Sequence, residues 1–385
     1  MNMDFAARVE RVEPSATLAI SNKAAELEAA GEDVVDLSVG EPDFDTPQNI
    51  KDAAEAALEA GETGYTPSNG IPELKSAIVD KLHGDGLTQY ETDNVIVTPG
   101  GKQALYEIFQ TLIDDGDETV LLDPAWVSYE AMAKLAGGSL KRVDTAAHDF
   151  QLEGALDDLA ETVSDDTELL VVNSPGNPHG AVYSDAALEG VRDLAVEHDI
   201  AVISDEIYKE ITYGVDQTSL GALEGMDDRT ITLNGFSKAY AMTGWRLGYF
   251  AAPADLVDQA GKVHSHSVSC AVNFVQHAGV EALENTDEAV EEMRQAFAER
   301  KDFLLGLFEE YGVNVPEPQG AFYMMPEIAP GGDDTEWCDQ AISEAKVATV
   351  PGSAFGTPGY ARISYANSKE RLQEAVDRLA AEDLI

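Results

Sequence analysis

The chain has 385 residues, too many for one ordinary core, so two domains are expected. Its 72 Asp and Glu outnumber 24 Lys and Arg for a net charge of −48, and such a surface would repel a nucleic-acid phosphate backbone. Hydrophobic residues make up 44%, enough for a full globular interior, yet no apolar run reaches the ~18 residues of a membrane span.

The first residues, MNMDFAARVERVEPSATLAI, lack the cationic start, apolar core and small-residue cleavage site of a secretory leader, which favours the cytoplasm. Residues 16–30, ATLAISNKAAELEAA, predict a helix, and VVDLSVG leads from it into a Pro/Gly-rich turn. From there strand and helix patterns alternate. Strand signals lie at NVIVT (94–98), ETVLLD (118–123), SLKRVD (139–144), ELLVVN (168–173), AVISD (201–205), TITLN (230–234) and LGYFAA (247–252). Most are short β-branched runs, as expected of strands covered on both faces. Helical patterns such as GKQALYEIFQTLI (101–113) and DAALEGVRDLAVEHD (185–199) stand between several of them. This implies an α/β fold, a mainly parallel central sheet flanked by helices. A helical stretch over roughly 286–311 follows, then NVPEPQGAFYMMP and VATVPGSAF. YARISYA (360–366) reads as a strand, and SKERLQEAVDRLAAE as a capped amphipathic helix that closes the chain. The expected organisation is a large domain over 46–289 and a smaller α+β domain built from 1–45 and 290–385.

Lys238 and Arg246 stand in NGFSKAYAMTGWRLGYF (234–250) with no acid between them. Burying an unpaired ammonium is costly, so Lys238 either reaches water from a turn or is paired, neutral or chemically consumed. In the last case it is a Schiff-base lysine, an amine of lowered pKa that captures an aldehyde cofactor. Pyridoxal phosphate is such an aldehyde. It needs an anion for its ring nitrogen, donors for its phosphate and groups that hold its ring. Asp205 ends a strand within VISDEIYKEI (202–211), where α/β sheets place ligand residues; it is either that anion or a helix N-cap. Tyr208, three residues on, is a candidate for the ring's phenolic oxygen. In VTPGGKQALYE (97–107) two glycines open a helix after a strand, exposing amides that hold phosphate or simply making the turn. The spacing fits neither the dinucleotide nor the Walker loop. Arg246 would complete a phosphate site with a bidentate contact. Trp126 in DPAWVSYE (123–130) either stacks on the ring or fills the core, and Asn177 in NSPGNPHG (173–180) either donates to the ring oxygen or only shapes a turn.

Together these segments resemble the fold-type I, class I/II pyridoxal-phosphate aminotransferases, and within them the prokaryotic aspartate aminotransferases. The resemblance covers nearly the whole chain, through PSATLAI, VGEPDFDTP, GYTPSNGIPEL, PGGKQAL, PAWVSY, NSPGNPHG, SDEIY, SKAYAMTGWRLGY, GAFY and ARISYA. It implies that Lys238 attaches the cofactor and Asp205 faces its ring nitrogen. It likewise gives Tyr208 and Asn177 to the phenolic oxygen and Trp126 to the ring face. Gly101, Lys102 and Arg246 fall on phosphate positions. Tyr65 matches a tyrosine that reaches the phosphate of the neighbouring subunit, which implies a homodimer with shared sites. Arg362 matches the clamp on the substrate α-carboxylate, and Gly40 lies in the GEPDF loop that closes over substrate. Lys102, with Ser15 or Thr17, is the candidate for a distal acidic group. The reaction implied is ping-pong transamination between an L-amino acid, first of all aspartate, and a 2-oxo acid such as 2-oxoglutarate. The same scaffold also serves alanine or aromatic substrates, carbon–sulfur lyase chemistry, or a cofactor-sensing regulator, although this sequence shows no basic DNA-binding extension.

Three positions depart from the family pattern. Gly235 stands where many relatives place a hydroxyl on the phosphate, Gly100 where others have serine, and Glu13 where relatives that accept prephenate can carry a basic residue. Cys270 and Cys338, outside any CxxC spacing, are expected as buried thiols in a reducing compartment. His264 and His266 in KVHSHSVS are expected as an exposed pair, and no metal site is indicated. Acid runs such as EGALDDLAETVSDDTE (153–168) and NTDEAVEE (285–292) read as the wet faces of helices in a protein adapted to molar salt, where the Debye length falls to ~3 Å.

Overall fold

The computed structural model describes residues 4–329 and 332–385. Val35–Asp36 (β1) precedes seven strands of one sheet: Val95–Thr98 (β2), Glu118–Asp123 (β3), Ser139–Asp144 (β4), Thr167–Asn173 (β5), Ala201–Asp205 (β6), Thr230–Gly235 (β7) and Gly248–Ala251 (β8). Tyr323–Met324 (β9), Val347–Ala348 (β10), Val350–Pro351 (β11) and Ala361–Ser364 (β12) follow near the C-terminus. The seven runs predicted as strands are the seven strands of the main sheet. Their spatial order, β2-β8-β7-β6-β5-β3-β4, is set by long-range pairing. Only β8 runs against its neighbours, antiparallel to both β2 and β7; the pairs among β3 to β7 are parallel.

Successive side chains of these strands feed two cores on opposite faces. Leu121, Leu169, Val171, Ile203 and Leu233 pack with Leu105 and Phe109 of the helix Gly101–Leu112. Val120, Leu122, Leu170, Val172 and Val202 pack with Leu188 and Val191 of the helix Asp185–His198. Outermost β4 differs: Lys141, Arg142 and Asp144 are exposed and only Val143 is buried. After β3 the chain runs out to β4 and returns on the other side of β3 as β5, so the order reverses there. Parallel sheets take ligands at the carboxyl ends of their strands, beside such a reversal.

A separate core joins the two ends of the sequence. Val35 and Leu37 meet Phe297, Leu304, Phe322, Trp337, Ile363 and Leu379. Here β1 pairs parallel with β10, and β12 lies between β11 and β9 in an antiparallel sheet. The predicted long helix is one rod, Asp287–Tyr311, so the expected boundary after residue 289 falls within its first turn. The closing helix Lys369–Ala381 is capped by Ser368, whose Oγ accepts from Arg371 N at 3.2 Å.

Two expectations need correction. Cys338 is buried, and burial pushes its thiol up to about 12, but Cys270 is only half-buried. His264 is not half of an exposed pair; it is fully buried against Glu107, while His266 is exposed. The polar letters around His264 hid a partner 157 residues away. Among the described residues no helix is long and apolar enough to cross a membrane.

Candidate active site

The carboxyl ends of the sheet open into a cavity of about 530 Å³. Of the predicted site residues, Gly40, Gly101, Lys102, Trp126, Asn177, Asp205, Tyr208, Lys238, Arg246 and Arg362 all line it. Tyr65 does not; it is 91% exposed on the surface. Thr17 lines the cavity, whereas Ser15 stands behind it with Oγ 2.8 Å from Thr17 Oγ1. Glu13 is exposed.

Lys238 follows β7 by three residues. Its Nζ donates to the Gly40 carbonyl at 2.5 Å and lies 5.7 Å from the Tyr208 ring and 5.8 Å from that of Phe322. Burial pushes the amine down to about 8, helped by the guanidiniums of Arg362 and Arg246 and opposed by Glu41 and Asp205. Only the neutral amine attacks an aldehyde. Capture of pyridoxal phosphate by cofactor-free protein should therefore rise about tenfold per pH unit below 8 and level off above it. A rate still climbing toward pH 10, followed by stopped-flow absorbance, would mean an unperturbed lysine.

Asp205 ends β6, and the next residues form a turn, not the helix an N-cap would need. Its Oδ2 accepts from the Tyr129 hydroxyl at 2.7 Å and its Oδ1 from Ile207 N at 3.2 Å. Burial raises the carboxyl to about 6, and these two donors hold it from going higher. Asn173, at the end of neighbouring β5, accepts from Asn177 N at 2.8 Å and donates to the Asp205 carbonyl at 2.9 Å. One side chain thus fixes the Asn177 turn to the Asp205 strand. Tyr208 Oη is 3.0 Å from Tyr323 Oη.

Gly100 enters the helix Gly101–Leu112 with φ 86°, and a Cβ there would lie 2.5 Å from Arg246 Nη2. A serine would thus meet both backbone strain and the guanidinium. A Cβ on Gly248 would lie 2.5 Å from Gly101 N, so β8 supports the loop only because it too lacks a side chain. At Gly235 a Cβ would come 3.1 Å from Ile207 and 3.2 Å from the Gly248 backbone, leaving a hydroxyl-bearing side chain little room. The result is a helix start with free first-turn amides beside an arginine.

Arg362, on β12, is 3% exposed. It donates to Asn177 Oδ1 at 3.2 Å and to the Ser38 carbonyl, while its buried Nε has no partner among the described residues. The guanidinium stacks 4.7 Å from the Tyr323 ring and 5.3 Å from that of Phe355. Lys102 Nζ stands 4.8 Å over the Trp126 ring; burial, then Arg246, lower its pKa.

Sequence reasoning missed Tyr129, Asn173, Glu41 and Tyr323. Tyr129 lies three residues after Trp126, a helical spacing that hinted at a shared face. Glu41, whose Oε2 accepts from Thr243 Oγ1 at 2.9 Å, carried no signal.

The donor set fits pyridoxal phosphate: a low-pKa amine, a buried carboxylate, an aromatic face, and a glycine-floored helix start that a Cβ at 100 would fill. Comparison with known proteins agrees. The model of the family "Aminotransferase class I and II" matches residues 32–379. The aspartate/prephenate aminotransferase of Thermus thermophilus is 41% identical over 97% of each chain. Aromatic-amino-acid aminotransferase 2 of Thermococcus litoralis is 40% identical, over 98% of this chain and 97% of its own. The solved structure of Thermus thermophilus aspartate aminotransferase with maleate superimposes with a TM-score of 0.95 at 41% identity, covering 99% of this chain and all of that one.

Proposed function

The chain belongs to the class I and II aminotransferases, and from that premise we propose that it moves the amino group of L-aspartate to 2-oxoglutarate. The carrying observation is a pair of cations on one cavity, the buried Arg362 with its unpartnered Nε and Lys102 above Trp126. Both proposed substrates are dicarboxylates, and Arg362 takes the α-carboxylate while Lys102 takes the distal one.

The family's cofactor is pyridoxal 5′-phosphate, which when bound supplies an aldehyde for the substrate amine and a cationic ring for the electron pair of the breaking Cα–H bond. Lys238 would hold it covalently, Asp205 would face the ring nitrogen, and Tyr208 and Asn177 the phenolic oxygen. Trp126 would cover the ring, and the Gly101–Lys102 amides with Arg246 would take the phosphate. Tyr129 keeps Asp205 anionic by donating to it, which favours the proton staying on the ring nitrogen. Nζ of Lys238, displaced by the substrate amine, takes the proton from the substrate Cα. Arg362 holds the carboxylate so that this C–H bond faces Nζ. The first 2-oxo acid leaves before the second enters, giving ping-pong kinetics.

Residues 38–46 strap the cavity mouth: besides the contacts of Ser38, Gly40 and Glu41, Trp245 Nε1 donates to Thr46 Oγ1 at 2.9 Å and Thr46 Oγ1 to the Ala241 carbonyl at 2.6 Å. This strap joins the proposed small domain, 1–45 with 290–385, to the large one, 46–289, and its closure would exclude water during proton transfer. The exposed Tyr65 suits a cytoplasmic homodimer in which it completes the neighbouring copy's phosphate site.

The test is optical. Aspartate should shift the visible or near-ultraviolet band of the holoenzyme, and 2-oxoglutarate should restore it. A response to alanine, phenylalanine or cystathionine and none to aspartate would move the chain to another substrate class. A band inert to every amino acid would make it a sensor.

The acidic surface carries a second expectation. Even if every Lys and Arg paired one acid, 72 − 24 = 48 carboxylates would have no basic partner. Screening shortens from about 10 Å in 0.1 M salt to about 3 Å in 1 M. The melting midpoint should climb by several degrees from dilute buffer to multimolar KCl; a flat or falling midpoint would contradict salt adaptation.

A further inference from the structure

His264 lies on the helix Ala254–Ser267, and it and Glu107 are both fully buried. Its Nδ1 is 3.0 and 3.1 Å from the two Glu107 carboxylate oxygens, and its Nε2 is 3.0 Å from the Ser68 carbonyl. A carbonyl only accepts, so Nε2 carries a hydrogen. Glu107 also accepts from Gln103 Nε2 at 2.8 Å and Ser267 Oγ at 3.4 Å. Glu107 and Nδ1 share one hydrogen between them, so the ring is pinned at both nitrogens.

The two anchors belong to different parts of the site. Glu107 sits on the helix Gly101–Leu112, whose first turn is the proposed phosphate corner. Ser68 stands three residues after Tyr65 on the segment that displays that tyrosine. This segment is also tied by Gln276 Nε2 to Thr66 Oγ1 at 3.1 Å, by Ile71 N to Gln276 Oε1 at 2.8 Å, and by Val97 N to the Asn69 carbonyl at 3.1 Å. Of these ties only that of His264 reaches the phosphate helix.

We propose that His264 is a positioning residue: clamped by Glu107, it donates to the Ser68 carbonyl and so locks the Tyr65 segment to the phosphate helix of the same chain. In a dimer with shared sites, the helix serving one cofactor and the tyrosine delivered to the other then move as one piece. This rests on the reading of Tyr65 given above.

Isosteric amides separate the two bonds. His264→Asn keeps a nitrogen at the Nδ1 position, toward Glu107, and loses the donor to Ser68. His264→Gln keeps a nitrogen at the Nε2 position, toward Ser68; it loses the Glu107 contact, but its helix still packs on the phosphate helix through Val257 and Ala260 against Leu105 and Phe109, so the tie survives. Both remove the ring alike, so a purely structural role would affect them equally. The readout is the dissociation constant of pyridoxal phosphate from the full-length protein, with thermal unfolding of the cofactor-free form as the folding control. His264→Asn should weaken binding about tenfold, one hydrogen bond's worth, and His264→Gln by less than about threefold. Tyr65→Phe should weaken it by a similar factor, and His264→Asn should add less than about twofold in that background. Equal losses in the Asn and Gln variants, or a full further loss on top of Tyr65→Phe, overturn the proposal while leaving the Tyr65 reading intact. An unchanged affinity in Tyr65→Phe removes that reading and this one with it. Should both His264 variants fail to fold, Glu107→Gln is the milder companion, since the imidazole can still reach Ser68. Its affinity should stay within about threefold of wild type, and a tenfold loss counts against the proposal.

Discussion

Lys238→Ala should lower transamination by about 10⁴-fold or more while the protein still binds pyridoxal phosphate. Two proposed roles fall together in that variant, covalent attachment of the cofactor and transfer of the Cα proton. Nothing nearby replaces them. Among the described residues Lys102 is the only other lysine lining the cavity, and it sits over Trp126. Retention of the cofactor is expected because the other proposed contacts, at Asp205, Asn177, Tyr208, Arg246 and the helix start, are untouched. Single-turnover mixing with aspartate measures the loss, and the absorbance of the washed protein measures retention. Borohydride reduction of wild type followed by peptide mapping should label residue 238. A label on Lys102, or near-normal turnover in the variant, would remove Lys238 from the chemistry.

Arg362→Met should cut kcat/KM for aspartate and for 2-oxoglutarate by roughly 10²–10³-fold, as expected when one partner of a buried charge-assisted contact is lost. If Arg362 holds the carboxylate before and during proton transfer as proposed, much of the loss should appear in KM, with a smaller part in kcat from misalignment. Arg362→Lys should recover little, since an ammonium cannot offer the planar fork. The same substitution carries an opposite expectation for stability. Arg362 is buried, with burial pulling its pKa down, and has no acidic partner among the described ion pairs. Met of similar volume relieves that burden, so the cofactor-free variant should melt no lower than wild type. A variant that keeps its affinity for both substrates, or that loses activity only by unfolding, would reject the carboxylate assignment.

The sequence was most legible where the physics is local. Short runs bounded by turns gave all seven strands of the main sheet, most of them because strands covered on both faces need apolar residues throughout; Ser139–Asp144, with only Val143 buried, is the exception. Lys238, Asp205 and Arg246 stood out as charges in apolar surroundings, and the family resemblance added Arg362, for which the local pattern offered nothing. What stayed hidden is non-local. Strand order depends on pairings such as β7 with β8, and no single segment encodes it. Tyr129 acquires its role only when β6 brings Asp205 to its hydroxyl, 76 residues away in sequence. His264 looked wet because its neighbours are, and the acid that makes its burial tolerable comes from another helix.

Consider last the outer strand Ser139–Asp144. Its Lys141 is held by Glu118 at 3.2 Å and its Arg142 by Asp123 at 2.5 Å and by Glu130. The chain has few bases, yet two fall side by side on the sheet's open border, among carboxylates. A foreign strand approaching that border would have to break these clasps and bury ions of both signs, a deterrent to fibril growth. Salt concentrated enough to screen the bulk repulsion between copies would leave such short-range contacts as the remaining barrier to one sheet zipping onto the next.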